Sequence, residues 1–397
     1  MNATVRNIII LCAAVALWAV PGAAQQETMR LAPGKVYLSA GFSVAFDDNV
    51  GLNDPNDERS DILLEANVGL RYLVPFAQRH SFSIEGLLAG HKGWDQSALD
   101  GLDGSLAANL DFAFDRFTLN VHEHFRRSIV PSGRDPLDWQ EPADDLRKYS
   151  NTVGFVALMD LGRMSVGLGY DRVIRVAEDY TFKMGSRTYD SPYIELEVKT
   201  GQASSVFARY SYERSDSYRS TFNNSESNRI EVGMQGRVSP NLSGRFALGY
   251  EDMSFDDNGT AVVDNKDYEG IVLNGSLTHR ITPLTNQSFS LTYGPENAYA
   301  TGNFYEWLMF GYRLTHRFTS QFSMSAKYEF GRAEDSLYLV APQGARSIFR
   351  SVGLGGDYQL SNASRFFFSY DYNWQSSSAY DENFDQHVVK AGLQWNF

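Results

Sequence analysis

The sequence contains one cysteine, Cys12, and it lies close to the N-terminus. Beyond that point a disulfide framework, a thiolate metal site and a thiol nucleophile are all excluded. Basic charge is scarce: 35 Lys+Arg stand against 48 Asp+Glu, a formal net charge of −13 at pH 7. Nucleic-acid binding needs a basic surface to meet phosphates, so that class is set aside. After the N-terminus no run approaches the roughly 18 consecutive apolar residues of a membrane-spanning helix. Proline is infrequent, at 12 residues, and helical periodicity is nearly absent. What the chain has instead is aromatic side chains, 22 Tyr and 26 Phe among them, within a hydrophobic fraction of 43%. That fraction is too high for a disordered chain, and the aromatic content suits strands.

Arg6, the apolar run Ile8–Val20 and the small residues Gly22-Ala23-Ala24 read as a secretory signal peptide over residues 1–24. Residues 25–397 are expected to form one domain.

The dominant signal in that domain is alternation. Val36, Leu38, Ala40, Phe42, Val44 and Phe46 share one face of a strand. Phe322, Met324, Ala326, Tyr328 and Phe330 do the same, as do Phe366, Phe368, Tyr370, Tyr372 and Trp374. An extended chain points successive side chains to opposite faces, so each segment has an apolar and a polar side. About 18 such segments can be counted, with 16 as the alternative, most longer than the roughly 5–6 residues usual for globular strands. Their connections alternate between eight short turns and nine long loops. A soluble sandwich also alternates, but long strands with alternating short and long connections fit an all-β fold of another kind. That fold is a transmembrane up-and-down antiparallel β-barrel with both termini periplasmic.

The chain ends Lys390-Ala391-Gly392-Leu393-Gln394-Trp395-Asn396-Phe397. This resembles the C-terminal insertion signal of bacterial outer-membrane barrels, matching it at Lys390, Gly392, Trp395 and Phe397. Phe42-Ser43-Val44-Ala45-Phe46-Asp47-Asp48-Asn49-Val50, followed by Arg59-Ser60-Asp61-Ile62-Leu63-Leu64, resembles the opening of the β-barrel porin-2-like family. The resemblance implies an outer-membrane channel in a Gram-negative cell. For some relatives it implies exopolysaccharide secretion beside a separate periplasmic polysaccharide-export protein. Outer-membrane lipid, lipopolysaccharide and the barrel-assembly machinery are the partners such a barrel would meet.

The polar face of each strand is expected to line a lumen, which barrels of this strand number keep aqueous. The candidate lining residues are Arg71, Arg126, Arg163, Arg209, Arg229, Arg245, Arg280, Arg313, Lys327, Glu329 and Asp371. One reading is an acidic outer mouth leading to a basic inner rim, which would favour anionic groups further in. The other is that lumen charges pair across strands and hold the register. The long segment Ile129–Leu146 carries Asp135, Asp138, Glu141, Asp144 and Asp145. It reads either as an acidic constriction folded into the pore or as an external loop held by divalent cations to lipopolysaccharide.

No catalytic constellation stands out. The seven His scatter over different segments. His122 and His124 share an inward face but lack a third ligand at a telling spacing. No cofactor is implied, and the chain does not read as an enzyme. A solute channel, a polysaccharide conduit and a closed adhesive barrel are the three functions compatible with these features.

Overall fold

The computed structural model describes residues 29–31, 34–50, 59–95, 100–128, 148–178, 186–201, 203–218, 224–256, 266–297, 303–335, 346–378 and 383–397. The expected signal peptide and the Ile129–Leu146 acids lie outside the described residues. Eighteen long antiparallel strands follow one another in the order β2 (Gly34–Asp47), β3 (Asp61–Phe76), β4 (His80–Gly93), β5 (Gly101–Ala113), β6 (Phe117–Ser128), β7 (Lys148–Asp160), β8 (Met164–Ala177), β9 (Arg187–Lys199), β10 (Ser204–Ser217), β11 (Ser225–Ser239), β12 (Leu242–Phe255), β13 (Tyr268–Thr282), β14 (Thr285–Asn297), β15 (Phe304–Arg317), β16 (Phe322–Asp335), β17 (Arg346–Gln359), β18 (Ser364–Ser377) and β19 (Phe384–Asn396). Each pairs with the next, and β19 pairs with β2, so the sheet closes. The eight short turns lie at one end of the barrel and the nine longer connections at the other. Gly162, at φ 91°, makes the left-handed bend of the β7–β8 turn, where a side chain would be strained.

The seam carries a short element that the alternation does not signal. β19 reaches down β2 only as far as Asn396↔Ser39. Below it, β1 (Met29–Leu31) folds back and pairs Met29↔Val36 and Leu31↔Gly34. The other edge of β2 is already occupied by β3, through Lys35↔Leu73. So β1 covers the edge that β19 leaves open. Three residues are too few to show a period.

Side chains sort by parity. On β11, Ile230 (60% exposed), Val232 (58%) and Met234 (56%) stand outward in a row. Their neighbours Phe246, Leu248 and Tyr250 on β12 continue the row. A continuous exposed apolar band of this kind is met by lipid, not water. The alternate residues face inward and are mostly polar.

The outer face changes character at a repeated contact. Tyr170 on β8 donates its hydroxyl to Asp190 on β9, and Tyr250 on β12 donates to Glu269 on β13. Tyr210 on β10 donates to Asn228 on β11 at 2.7 Å, and Tyr293 on β14 to Glu306 on β15 at 2.7 Å. Tyr370 on β18 meets His387 on β19 at 2.8 Å. In every case the acceptor sits two residues beyond the tyrosine's direct partner, on the next strand and toward the long-loop end. Aromatic rings with a polar tip suit a membrane–water interface. The five contacts mark where the apolar band ends. Past them charged residues enter the outward set, as with Arg172, Arg214, Asp252 and Arg332. The strands nevertheless run on. β12 continues to Phe255 and β16 to Asp335, further than apolar alternation alone indicates.

The parity predicts an asymmetric response to charge. Leu354, outward and 48% exposed, should lose about 2–4 kcal/mol of stability as Leu354→Arg if it sits near the bilayer midplane. Ser276→Arg, on the inner wall, should lose far less. Urea midpoints of heat-modifiable migration compare the two, and equal losses would contradict the assignment of faces.

Candidate functional site in the barrel lumen

Register brings the inner charges together strand by strand. Arg209 on β10 lies directly opposite Glu195 on β9 and meets its carboxylate at 2.7 Å. Arg245 on β12 reaches the same carboxylate at 2.9 Å, across two strands. One acid thus holds two guanidinium groups, each also resting on an aromatic ring. Arg209 lies 4.4 Å from the Tyr193 ring centroid and Arg245 lies 3.8 Å from that of Phe207. Arg229 on β11 meets the buried Glu251 on β12 at 2.6 Å. Lys327 on β16 meets Asp371 on β18 at 2.5 Å, reaching across β17. Arg71 stands 3.8 Å from Glu85, with both side chains more than half exposed. His122 meets Asp171 at 2.8 Å and Asn120 at 3.0 Å, and so is engaged on both ring nitrogens. Among the described residues, no group of three or more His, Cys, Asp or Glu is placed to hold a metal.

The remaining candidates differ. Glu329 faces inward between Gly311 and Ser351. Arg126 faces inward on β6 between Ser105 and Ser150, and is exposed. Arg163 lies in the turn before β8, not on a strand. Arg280 on β13 and Arg313 on β15 face inward and are exposed. Over β9–β12 Glu195 and Glu251 hold Arg209, Arg245 and Arg229, whereas at the short-turn end of β13–β15 basic residues stand on a neutral background.

The residues of the C-terminal motif serve closure. Lys390 points inward and meets Glu65 on β3 at 2.6 Å. Gly392 sits where an added Cβ would come within 2.6 Å of the Phe42 carbonyl and of the Phe367 ring, so the seam packs too closely there for a side chain. Trp395 lies on the outward parity opposite Ala40, and the Phe397 amide donates to the Leu38 carbonyl at 2.8 Å.

The inner wall is not uniformly polar, as alternation alone suggests. Tyr305, Ala333, Phe349 and Phe384 form a buried cluster at the long-loop end of β15–β19, with Trp307 and Met309 packed against it. Continuing the parity of Arg313 along β15 leads to Met309, Trp307 and Tyr305, so a signal for this cluster was present in the sequence. The sharing of Glu195 between Arg209 and Arg245 had none, because it depends on register between strands distant in sequence.

A family model described as "Putative beta-barrel porin 2" matches residues 190–397, just over half of the chain. No curated protein sequence matches. Solved structures do. The outer-membrane protein OpdK of Pseudomonas aeruginosa is similar with 11% identity and a TM-score of 0.50, over 91% of this chain and 99% of that one. A BenF-like porin of Pseudomonas fluorescens Pf-5 gives 10% identity and a TM-score of 0.51, over 92% and 100%. OccK2 (OpdF) of P. aeruginosa in complex with glucuronate gives 12% and 0.51, over 92% and 98%. At such identities the likeness is one of fold.

Glu195→Gln should release two arginine charges into the lumen. The expected result is an approximately twofold rise in the chloride-to-potassium permeability ratio, from the added local positive potential. The reversal potential in a KCl gradient reads it directly.

Proposed function

The chain belongs to the "Putative beta-barrel porin 2" family of porin-like outer-membrane channels, and on that premise we propose that it passes small polar solutes by diffusion across the outer membrane of a Gram-negative cell. One observation carries the reading. The eighteen-strand wall is closed, and its inner face at the short-turn end is hydrophilic and open to water, with Asn274, Ser276, Thr278 and Arg280 exposed on consecutive inward positions of β13. Eighteen strands leave a lumen too wide for side chains to fill. A packed enzyme core or a sealed adhesive plug calls for the opposite lining. Lipopolysaccharide is the natural neighbour of the outward charges past the tyrosine contacts, and the barrel-assembly machinery is the partner that would insert the chain.

Single-channel recording of refolded residues 25–397 in a planar bilayer tests the proposal. The expected result is a steady conductance in KCl without added protein. A barrel that migrates as folded but conducts nothing would overturn it.

A further inference from the structure

The inner wall over β13–β15 departs from the paired pattern elsewhere. Among the described residues, its one acid is Glu296, toward the long-loop end, where it meets Arg175 at 3.3 Å. Toward the short turns the inward residues are Asn274, Ser276, Thr278, Arg280, Asn286, Ser288, Ser290, Arg313, Thr315 and Arg317. The three arginines are exposed, and among the described residues no carboxylate meets their side chains.

Register fixes their arrangement. Arg280 pairs with Asn286, and Asn286 pairs with Thr315. Arg313 and Arg317 lie two residues to either side of Thr315 along β15. With strands about 4.8 Å apart and a rise of about 3.4 Å per residue, the three Cα positions form a triangle with sides of about 12–14 Å. Asn286 lies inside it and Thr315 at the middle of its β15 side, and the wall is concave here, so the guanidinium groups can converge over them.

The arrangement also has a cost. Arg313 stands directly opposite Lys327 on β16, both inward. Like charges so placed repel and weaken the strand pair. Lys327 is drawn away to Asp371 on β18, which leaves Arg313 without an acid among the described residues. A wall built solely for stability would place a carboxylate here, as β9 does with Glu195.

We infer that Arg280, Arg313 and Arg317 form a binding site at the inner rim of the lumen for a small solute carrying two or more oxyanion groups. Guanidinium forks recognise carboxylate and phosphate oxygens by paired hydrogen bonds, and the central Asn and Thr suit hydroxyl substituents on the same solute. The inference rests on the lumen being the solute path, but binding can be measured without conduction.

The test is calorimetry on the folded full barrel in detergent, with citrate, inorganic phosphate and acetate as probes. Citrate should bind at least about tenfold more tightly than acetate, since each further charge-assisted contact adds at least about that factor. The triple variant Arg280→Gln/Arg313→Gln/Arg317→Gln should lose at least that factor for citrate. If the triple variant does not show folded migration, Arg313→Gln alone should weaken citrate several-fold, while Arg332→Gln, on the outer face, should not. Phosphate, with one oxyanion group, binding more tightly than citrate would contradict the inference of a site built for two or more such groups. Citrate binding no tighter than acetate, or unchanged by the arginine substitutions, would overturn it. Conductance in KCl is read separately. A closed barrel that still binds citrate through these arginines would reject the diffusion proposal and leave the site standing.

Discussion

Everything in this molecule follows from one constraint: lipid offers no hydrogen bonds to the backbone. A chain without a membrane-length apolar helix can cross only as a sheet that has no free edge. The eighteen-strand ladder meets that condition along its length, and its least regular point is where the two ends of the chain meet. There β19 stops at Ser39 of β2 and β1 takes over the vacant edge. The close packing at Gly392 and the Phe397–Leu38 hydrogen bond lie at the same seam. The C-terminal motif is thus part of the closure itself.

Closure then imposes a two-sided chemistry on every strand. Outward residues dissolve in lipid until the tyrosine contacts, and inward residues must be satisfied in a lumen. Over β8–β12 satisfaction comes from neighbouring strands, with Glu195 and Glu251 holding Arg209, Arg245 and Arg229. Such pairs fix register and leave little net charge for a passing solute. At the short-turn end of β13–β15 the charges are left for water or for a ligand. The lumen therefore has a self-neutralised wall and a basic wall, and its selectivity should come from the second.

The architecture was legible because a period of two is written into each strand. Strand number, turn alternation and faces such as Val36–Phe46 could be read without any tertiary knowledge. Strand ends could not. Beyond Tyr250 the outward residues are Asp252 and Ser254, so the apolar half of the alternation disappears although the backbone ladder continues to Phe255. The lumen residues were legible one by one, by parity, but their relations were not. That Lys327 serves Asp371 while Arg313 serves no acid depends on which strands lie side by side and in what register. Arg163 shows the limit of parity, since it falls in a turn where alternation has no meaning.

The central claim is that alternate residues of one strand face water and lipid. The cysteine-free segment 25–397 makes this directly measurable. Single cysteines at consecutive positions 273–278 of β13 would be exposed, in liposomes, to a small charged thiol reagent. The account predicts modification at 274, 276 and 278 and protection at 273, 275 and 277. Uniform reactivity, uniform protection or the opposite phase would contradict a water-lined barrel built on this register.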